Sequence, residues 1–113
     1  MEIGEKLLVS GRQEWREWLN KHHNDRREIW LIYYKKNSGK VGISYEESVE
    51  EALCFGWIDG DNKGIDAETY AGRFTPRRPR SPWSASNRER VARLIREGRM
   101  TDAGLAVLPA DLL

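Results

Sequence analysis

The sequence has little of the residue types that build disulfides and metal sites. Its 113 residues include one cysteine, Cys54, and two histidines. A single cysteine excludes an internal disulfide, and the adjacent His22 and His23 do not have the ligand spacing typical of zinc sites. We therefore expect no bound metal and no cofactor.

Long apolar runs are also missing. No stretch approaches the roughly 20 residues that a membrane-spanning helix needs. The first ten residues do not show the basic and then apolar pattern of a secretory signal. These absences predict a cytoplasmic protein without membrane insertion.

The composition favours one globular domain. Hydrophobic residues make up 39% of the chain and charged residues 33%, and five Trp, four Tyr and two Phe supply large core side chains. A chain of this length forms one core rather than two. We therefore expect a single domain over residues 1–113.

The N-terminal part of the chain predicts a helix followed by a strand. Apolar residues recur at helical spacing from Trp15 to His22, which predicts a helix over residues 11–23 with Ser10 and Gln13 as its capping box. Residues 28–36 are rich in β-branched and aromatic side chains that would cover both faces of a strand. This strand is expected in the interior of a sheet.

The middle of the chain predicts a second helix, which starts at a capping box formed by Ser44 and Glu47. Alternating side chains and clusters of glycine, aspartate and asparagine then indicate short strands joined by a turn. The predicted elements are a helix over 45–55, a brief strand over 57–59, a turn over 60–64 and a strand over 69–74.

The C-terminal part opens with a proline-rich, irregular stretch. A capping box at Ser86 and Glu89 predicts a third helix over 87–97, which Gly98 would end. A short fourth helix is expected after Thr101. The fold class is therefore predicted as α+β, with a small antiparallel sheet of about three strands packed against three to four helices.

The net charge of +1 conceals an uneven distribution. Residues 44–72 contain eight acids and one base, whereas residues 73–99 contain nine arginines and two acids. Every base in the second stretch is arginine, whose planar guanidinium forms paired hydrogen bonds with carboxylate or phosphate. This asymmetry indicates an anionic partner.

The strongest candidate site is the basic segment, residues 73–90. Arg88 and Arg90 are predicted in the first turn of the third helix, where the helix dipole disfavours positive charge by up to about 1 kcal/mol. A helix start with serine hydroxyls and arginines suits an anion, so we expect a phosphate group, from a phosphorylated small molecule or a nucleic acid. The candidate ligand-binding residues are Arg73, Arg77, Arg78, Arg80, Trp83, Ser84, Ser86 and Arg88, together with Trp57 and Asp59.

Other interpretations of these residues stay open. The arginines can pair with acids between residues 46 and 68 and so tie the loop to the second helix, with Trp83 as an anchor of the loop. A small enzyme would use Asp59 as acid or base and the arginines as electrostatic clamps. A homo-oligomeric interaction domain would pair the basic and acidic segments between chains. No catalytic motif is recognisable, and Cys54 is expected to be a small buried hydrophobe.

Four strings of the sequence are long and unusual. They are EWREWL at 14–19, YYKKNSGK at 33–40, ALCFGWIDG at 52–60 and FTPRRPRSPWSASNRERVARLIREGRMTDAGL at 74–105. Together they resemble the bacteriocin-protection family, also called the YdeI or OmpD-associated family, over nearly the whole chain.

The resemblance implies a role in protection against bacteriocins and cationic antimicrobial peptides, with no catalytic residue to carry over. It also implies that residues 54–59 and 76–84 belong to one surface. Chains of that family commonly continue into a further C-terminal helical region, whereas this sequence stops at Leu113. The family has been predicted to be periplasmic, in contrast to the cytoplasmic location expected here.

Overall fold

The computed structural model describes residues 2–78 and 81–112. In this part the chain forms four strands, four α helices and two short 3-10 helices, and the predicted α+β class is confirmed. Their bounds are β1 Lys6–Leu7, α1 Arg12–His22, β2 Ile29–Tyr34, α2 Tyr45–Cys54, β3 Trp57–Gly64, β4 Thr69–Pro76, α3 Ala85–Arg96 and α4 Asp102–Leu105, with the 3-10 helices at Lys36–Ser38 and Ala110–Leu112.

One mixed sheet with the strand order β1-β2-β4-β3 organises the molecule. β2 and β3 each pair antiparallel with β4, which gives the expected three-stranded antiparallel unit with β2 in the interior. The sequence pattern does not predict β1, because a strand of two residues carries no periodicity. It adds a short parallel edge beside β2.

β3 is longer than the sequence predicts. Residues 60–64 are expected to form a turn, but they continue the strand, and the turn lies around Asp66. The pairing register shifts between Asp59 and Asn62, and glycine and other turn-forming residues are common at such irregularities. The Asp66 carboxylate accepts hydrogen bonds from the backbone N–H groups of Glu68 and of Thr69, the first residue of β4.

The predicted capping box is present at the start of α2 and absent at the start of α1. The capping box formed by Ser44 and Glu47 is confirmed at α2. At α1 the predicted pairing of Ser10 with Gln13 is wrong. The backbone N–H and hydroxyl of Ser10 instead both donate to the Glu14 carboxylate, and Gly11 is the N-cap residue. In the described part of the chain, no helix is long and apolar enough to cross a bilayer.

The core lies between the sheet and its helices. The side chains of β2 that alternate toward this face are buried, and α1, α2 and α3 cover them. Apolar burial of this kind is the main favourable contribution to folding. The largest buried side chains in it are Trp15, Leu19, Ile29, Leu31, Trp57, Phe74 and Leu94.

A buried carboxylate ties the helices together. The side chain of Glu51, on α2, is 0% exposed. It binds the guanidinium groups of Arg12 and Arg16 from α1 and of Arg99, which follows α3. The Nη1 atom of Arg16 lies 2.8 Å from Oε1 of Glu51. Burial acts to raise the pKa of Glu51, but the three guanidiniums outweigh it and lower the pKa below its ordinary value.

The neighbouring glutamate extends this network. Glu50 is buried as well, and its carboxylate binds Arg12 of α1 and Arg93 of α3. The acidic side of α2 therefore faces arginines of two other helices rather than water. Isolated buried charges of this kind would cost several kcal/mol each, which the opposite charges and hydrogen bonds offset.

We predict that Glu51→Gln lowers the free energy of unfolding by about 3 kcal/mol near neutral pH, because three guanidiniums lose their shared buried anion. The folded-state pKa of Glu51 is lowered, so its stabilising contribution is present above the unfolded-state pKa. That contribution is lost as the pH falls through the folded-state pKa. Urea unfolding between about pH 7 and about pH 3 should therefore show a smaller loss of stability in the variant than in the wild type.

The matched control is Glu89→Gln, since Glu89 is exposed on α3 and forms no ion pair within the described residues. It should change the free energy of unfolding by less than about 0.5 kcal/mol. Equal destabilisation by the two substitutions would contradict a central role for Glu51.

Candidate functional site

α3 begins two residues earlier than the sequence predicts. Its N-cap residue is Ser84, whose hydroxyl accepts a hydrogen bond from the backbone N–H of Asn87 at 3.1 Å. The capping box expected at Ser86 is therefore wrong. Arg88 becomes the fourth helical residue and Arg90 the sixth. Because the dipole effect falls off within the first turn, the expected conflict between these arginines and the helix start largely disappears.

The arginines of α3 are paired with carboxylates. Arg90 binds both carboxylate oxygens of Glu46, at 2.6 and 2.9 Å, and the hydrogen bond lowers the pKa of Glu46. Arg88 binds Asp111 near the C-terminal end. These contacts tie α3 to α2 and to the 3-10 helix at Ala110–Leu112. The pair of Arg90 with Glu46 agrees with the alternative in which the arginines bind acids between residues 46 and 68.

Ser86 lines a cleft of about 580 Å³ along α3. The arginines of this cleft share it with two glutamates, Glu46 and Glu89. Its lining therefore combines both signs of charge, with Arg90, Arg93 and Arg96 beside these two glutamates.

A second cleft, of about 380 Å³, lies where β4 ends. We name it the arginine cleft. Antiparallel pairing places the start of β2 beside the end of β4, so Arg27 reaches the same cleft from a distant part of the sequence. No carboxylate stands among its described lining residues. These are Arg27, Arg73, Thr75, Pro76, Arg77 and Arg78.

The Arg73 guanidinium is hydrogen-bonded to a carboxylate along one edge. Its Nε atom donates to the Glu28 carboxylate. A Cβ atom on Gly4 would lie 2.7 Å from Oε2 of Glu28, which is too close. The absence of a side chain at Gly4 therefore provides the space that the Glu28 carboxylate occupies. Within the described residues the two Nη groups of Arg73 have no hydrogen-bond partner, and they remain available on a side chain that lines the cleft.

Arg77 is the most unusual side chain of the cleft, because it is only 6% exposed. Its guanidinium carbon lies 3.8 Å from the centroid of the Trp83 ring, and its Nη1 atom donates to the carbonyl of Pro82 at 3.2 Å. Its buried Nη2 atom has no acceptor in the described part of the chain. Burial lowers the pKa of Arg77, although the charge of Asp59 acts in the opposite direction.

Trp83 has the role of an anchor. Its ring packs against the hydrophobic core and at the same time supports the Arg77 guanidinium. Stacking of this kind stabilises by about 0.5 to 2 kcal/mol, depending on how far the pair is desolvated. The irregular loop after β4 is thereby fixed next to the cleft.

The two remaining arginines of the cleft are solvated. Arg27 and Arg78 are both exposed. Neither forms an ion pair with any residue in the ranges 2–78 and 81–112. The cleft therefore combines two positioned guanidiniums, those of Arg73 and Arg77, with two free ones at its rim.

Asp59 and Trp57 are not among the lining residues of the arginine cleft. Trp57 is 1% exposed and belongs to the core. The Asp59 carboxylate accepts a hydrogen bond from the Tyr45 hydroxyl at 2.5 Å, and burial together with this contact raises the pKa of Tyr45 to about 12. Asp59 lines neither of the two clefts. The backbone N–H of Arg77 does donate to the Gly56 carbonyl, so the two segments that the resemblance assigns to one surface are adjacent.

The structure brings together only part of the predicted set. Arg73, Arg77 and Arg78 share the arginine cleft, and Trp83 supports Arg77. Arg80 lies outside the described residues. The predicted site residues that the structure places elsewhere are Ser84, Ser86, Arg88, Trp57 and Asp59.

Three residues of the cleft, Arg27, Thr75 and Pro76, are absent from the predicted set. The pairing register of β2 with β4 would have identified Arg27, and the alternation along β4 would have placed Thr75 beside Arg73. Cys54 is buried as expected, and burial raises the pKa of its thiol, which keeps it in the unreactive form.

Comparison with known protein families gives a match over most of the chain. The family model described as Domain of unknown function (DUF8412) matches residues 7–107, which include α1 to α4 and the whole arginine cleft. No curated protein and no solved structure matches the chain. From the extent of the family match, the chain belongs to the domain of unknown function family DUF8412.

Proposed function

We propose that this protein is an anion-binding module that holds a phosphate group in the arginine cleft. The observation that carries the proposal is the guanidinium of Arg77, which is buried, stacked on Trp83 and without a carboxylate partner among the described residues. A buried cation without a counter-ion reduces stability. A bound anion in the cleft would lie beside this group and offset that cost.

The other arginines of the cleft support the same ligand chemistry. Arg73 has two unpartnered Nη groups, and Arg27 and Arg78 add exposed positive charge. Guanidinium groups bind phosphate through charge-assisted and often paired hydrogen bonds. Four of them around one concavity, without a lining carboxylate, favour an oxyanion over a neutral ligand.

The location differs from the one that the sequence suggests. The arginines near the start of α3 pair with acids of the same chain. At the end of β4, Arg77 and Arg78 form no ion pair within the described residues, and Arg73 binds Glu28 through its Nε atom alone. This intrachain pairing also weakens the case for a homo-oligomer joined by the basic and acidic segments. Protection against bacteriocins, which the resemblance to the YdeI family implies, stays a prediction.

Replacing Arg27 and Arg78 with alanine in one variant should weaken binding of inorganic pyrophosphate about tenfold, because two unpaired charges at the rim are removed. Isothermal titration calorimetry at low ionic strength measures the change. Both side chains are exposed, so the variant should fold as the wild type does.

The control variant replaces Arg96 and Lys36 with alanine. Both are exposed, neither is ion-paired within the described part of the chain, and both lie outside the arginine cleft. It removes the same charge and should leave the pyrophosphate affinity within about twofold. If both variants lose affinity equally, the interaction is general electrostatics and the proposed cleft is not the binding site.

Binding of a single-stranded oligonucleotide should depend only weakly on salt. Because the arginine cleft brings four guanidiniums together and Glu28 partly neutralises one of them, about three phosphate contacts are expected. The plot of log affinity against log salt concentration should then have a slope of about −2. Fluorescence anisotropy of a labelled oligonucleotide measures it, and a slope steeper than about −5 would reveal an extended nucleic-acid track instead.

A further inference from the structure

The hydrogen-bond donors of the arginine cleft outnumber the acceptors of a phosphodiester. Arg73 presents two Nη groups, and Arg27 and Arg78 add their guanidiniums at the rim. Arg77 contributes a buried Nη2 atom that has no acceptor among the described residues. The Thr75 hydroxyl lines the cleft between Arg73 and Arg77 along the chain. A phosphodiester offers two non-bridging oxygens, whereas a terminal phosphate offers three acceptor oxygens.

The charge of the cleft indicates the same preference. Arg27, Arg77 and Arg78 have no ion-pair partner among the described residues, and Arg73 is neutralised in part by Glu28. A phosphodiester carries one negative charge, but a terminal phosphate carries about −1.5 to −2 at neutral pH. A terminal phosphate therefore neutralises more of the positive charge of the arginine cleft than a phosphodiester does.

Within the described residues, the arginines next to the cleft in the sequence are paired with carboxylates. Arg26, which precedes Arg27, binds Glu5 and Asp25. Arg88 and Arg90, the next described arginines after Arg78, are also bound to carboxylates. A nucleic-acid backbone repeats its charge along its length and is held by several separate cations. A localised cluster suits a single terminal phosphate better than a polymer.

Resting on the proposed function, we propose that the arginine cleft is a phosphomonoester site. It selects a terminal phosphate group, on a small molecule or at a chain end, over the phosphodiester of a nucleic-acid backbone. Arg73 and Arg77 are its specificity-determining residues, because Glu28, Pro82 and Trp83 hold them in place while their remaining donors stay free.

The test compares two probes on the wild-type protein, so that it does not depend on the folding of a variant. One is a thymidine dinucleotide with a terminal phosphate, and the other is the same dinucleotide without it. Calorimetry near neutral pH should show at least about tenfold tighter binding of the phosphorylated probe, which corresponds to one or more additional charge-assisted hydrogen bonds. Equal affinity for the two probes would overturn the inference.

The pH dependence gives a second readout. The second pKa of a terminal phosphate is about 6, whereas a phosphodiester does not titrate in this range. Lowering the pH from about 7.5 to about 5.5 should weaken binding of the phosphorylated probe and leave the unphosphorylated one unchanged. A preference that is the same at both pH values would contradict recognition of the dianion.

Arg73→Lys keeps the positive charge but removes the planar fork of donors. It should reduce the preference for the phosphorylated probe by about fivefold or more, whereas Arg88→Lys, outside the cleft, should leave the preference unchanged. Inorganic phosphate, as a third probe, identifies the source of the ligand. Affinity equal to that of the phosphorylated dinucleotide indicates a small phosphorylated molecule, and much weaker affinity indicates a nucleic-acid end.

The inference and the proposed function can fail separately. If neither dinucleotide nor pyrophosphate binds, the anion-binding function itself is wrong. If both dinucleotides bind with equal affinity and the loss of Arg27 and Arg78 still weakens pyrophosphate binding, anion binding stands and the selectivity for a monoester is wrong.

Discussion

The buried carboxylate of Glu51 decides how the helices of this protein meet. Arginines from α1 and from the link between α3 and α4 converge on it, and together they compensate a carboxylate that would otherwise be an isolated charge in the interior. Apolar contacts alone tolerate small shifts between helices, but a network of this kind requires one arrangement. The position of α3 relative to the sheet, and with it the path of the loop that precedes α3, depends on this constraint.

The same acidic side of α2 separates the arginines into two groups. Those that face α2, such as Arg90 and Arg93, are satisfied by Glu46 and Glu50. Those at the opposite end of the basic segment lie beyond the reach of α2 and collect where β4 ends. The arginine cleft is distinctive because it brings four arginines together with no carboxylate among its described lining residues.

Local signals in the sequence predict most of the fold. The capping box at Ser44, the aromatic run of β2 and the glycine after α3 are each contained within a few residues. Gly98 has a φ of 70° and closes α3 with two backbone hydrogen bonds of the Schellman type. The choice of Ser84 over Ser86 as N-cap, and the contribution of Arg27 to the cleft, depend on packing and strand register. Neither is visible in local periodicity, so the sequence predicts the arginine-rich segment but not which of its arginines share a cleft.

The buried guanidinium of Arg77 is the feature that the proposed anion-binding function explains best. A side chain whose only task was to fill space beside Trp83 would be more favourable as an apolar residue, since burial of an unpaired guanidinium costs stability that a hydrophobic residue does not lose. Natural proteins depart from such local rules at functional sites. The stacking on Trp83 and the hydrogen bond to Pro82 orient the guanidinium without neutralising it. Under the proposed function, this positive charge would be available to an anion, and the preorganisation of Arg77 would lower the entropy cost of binding.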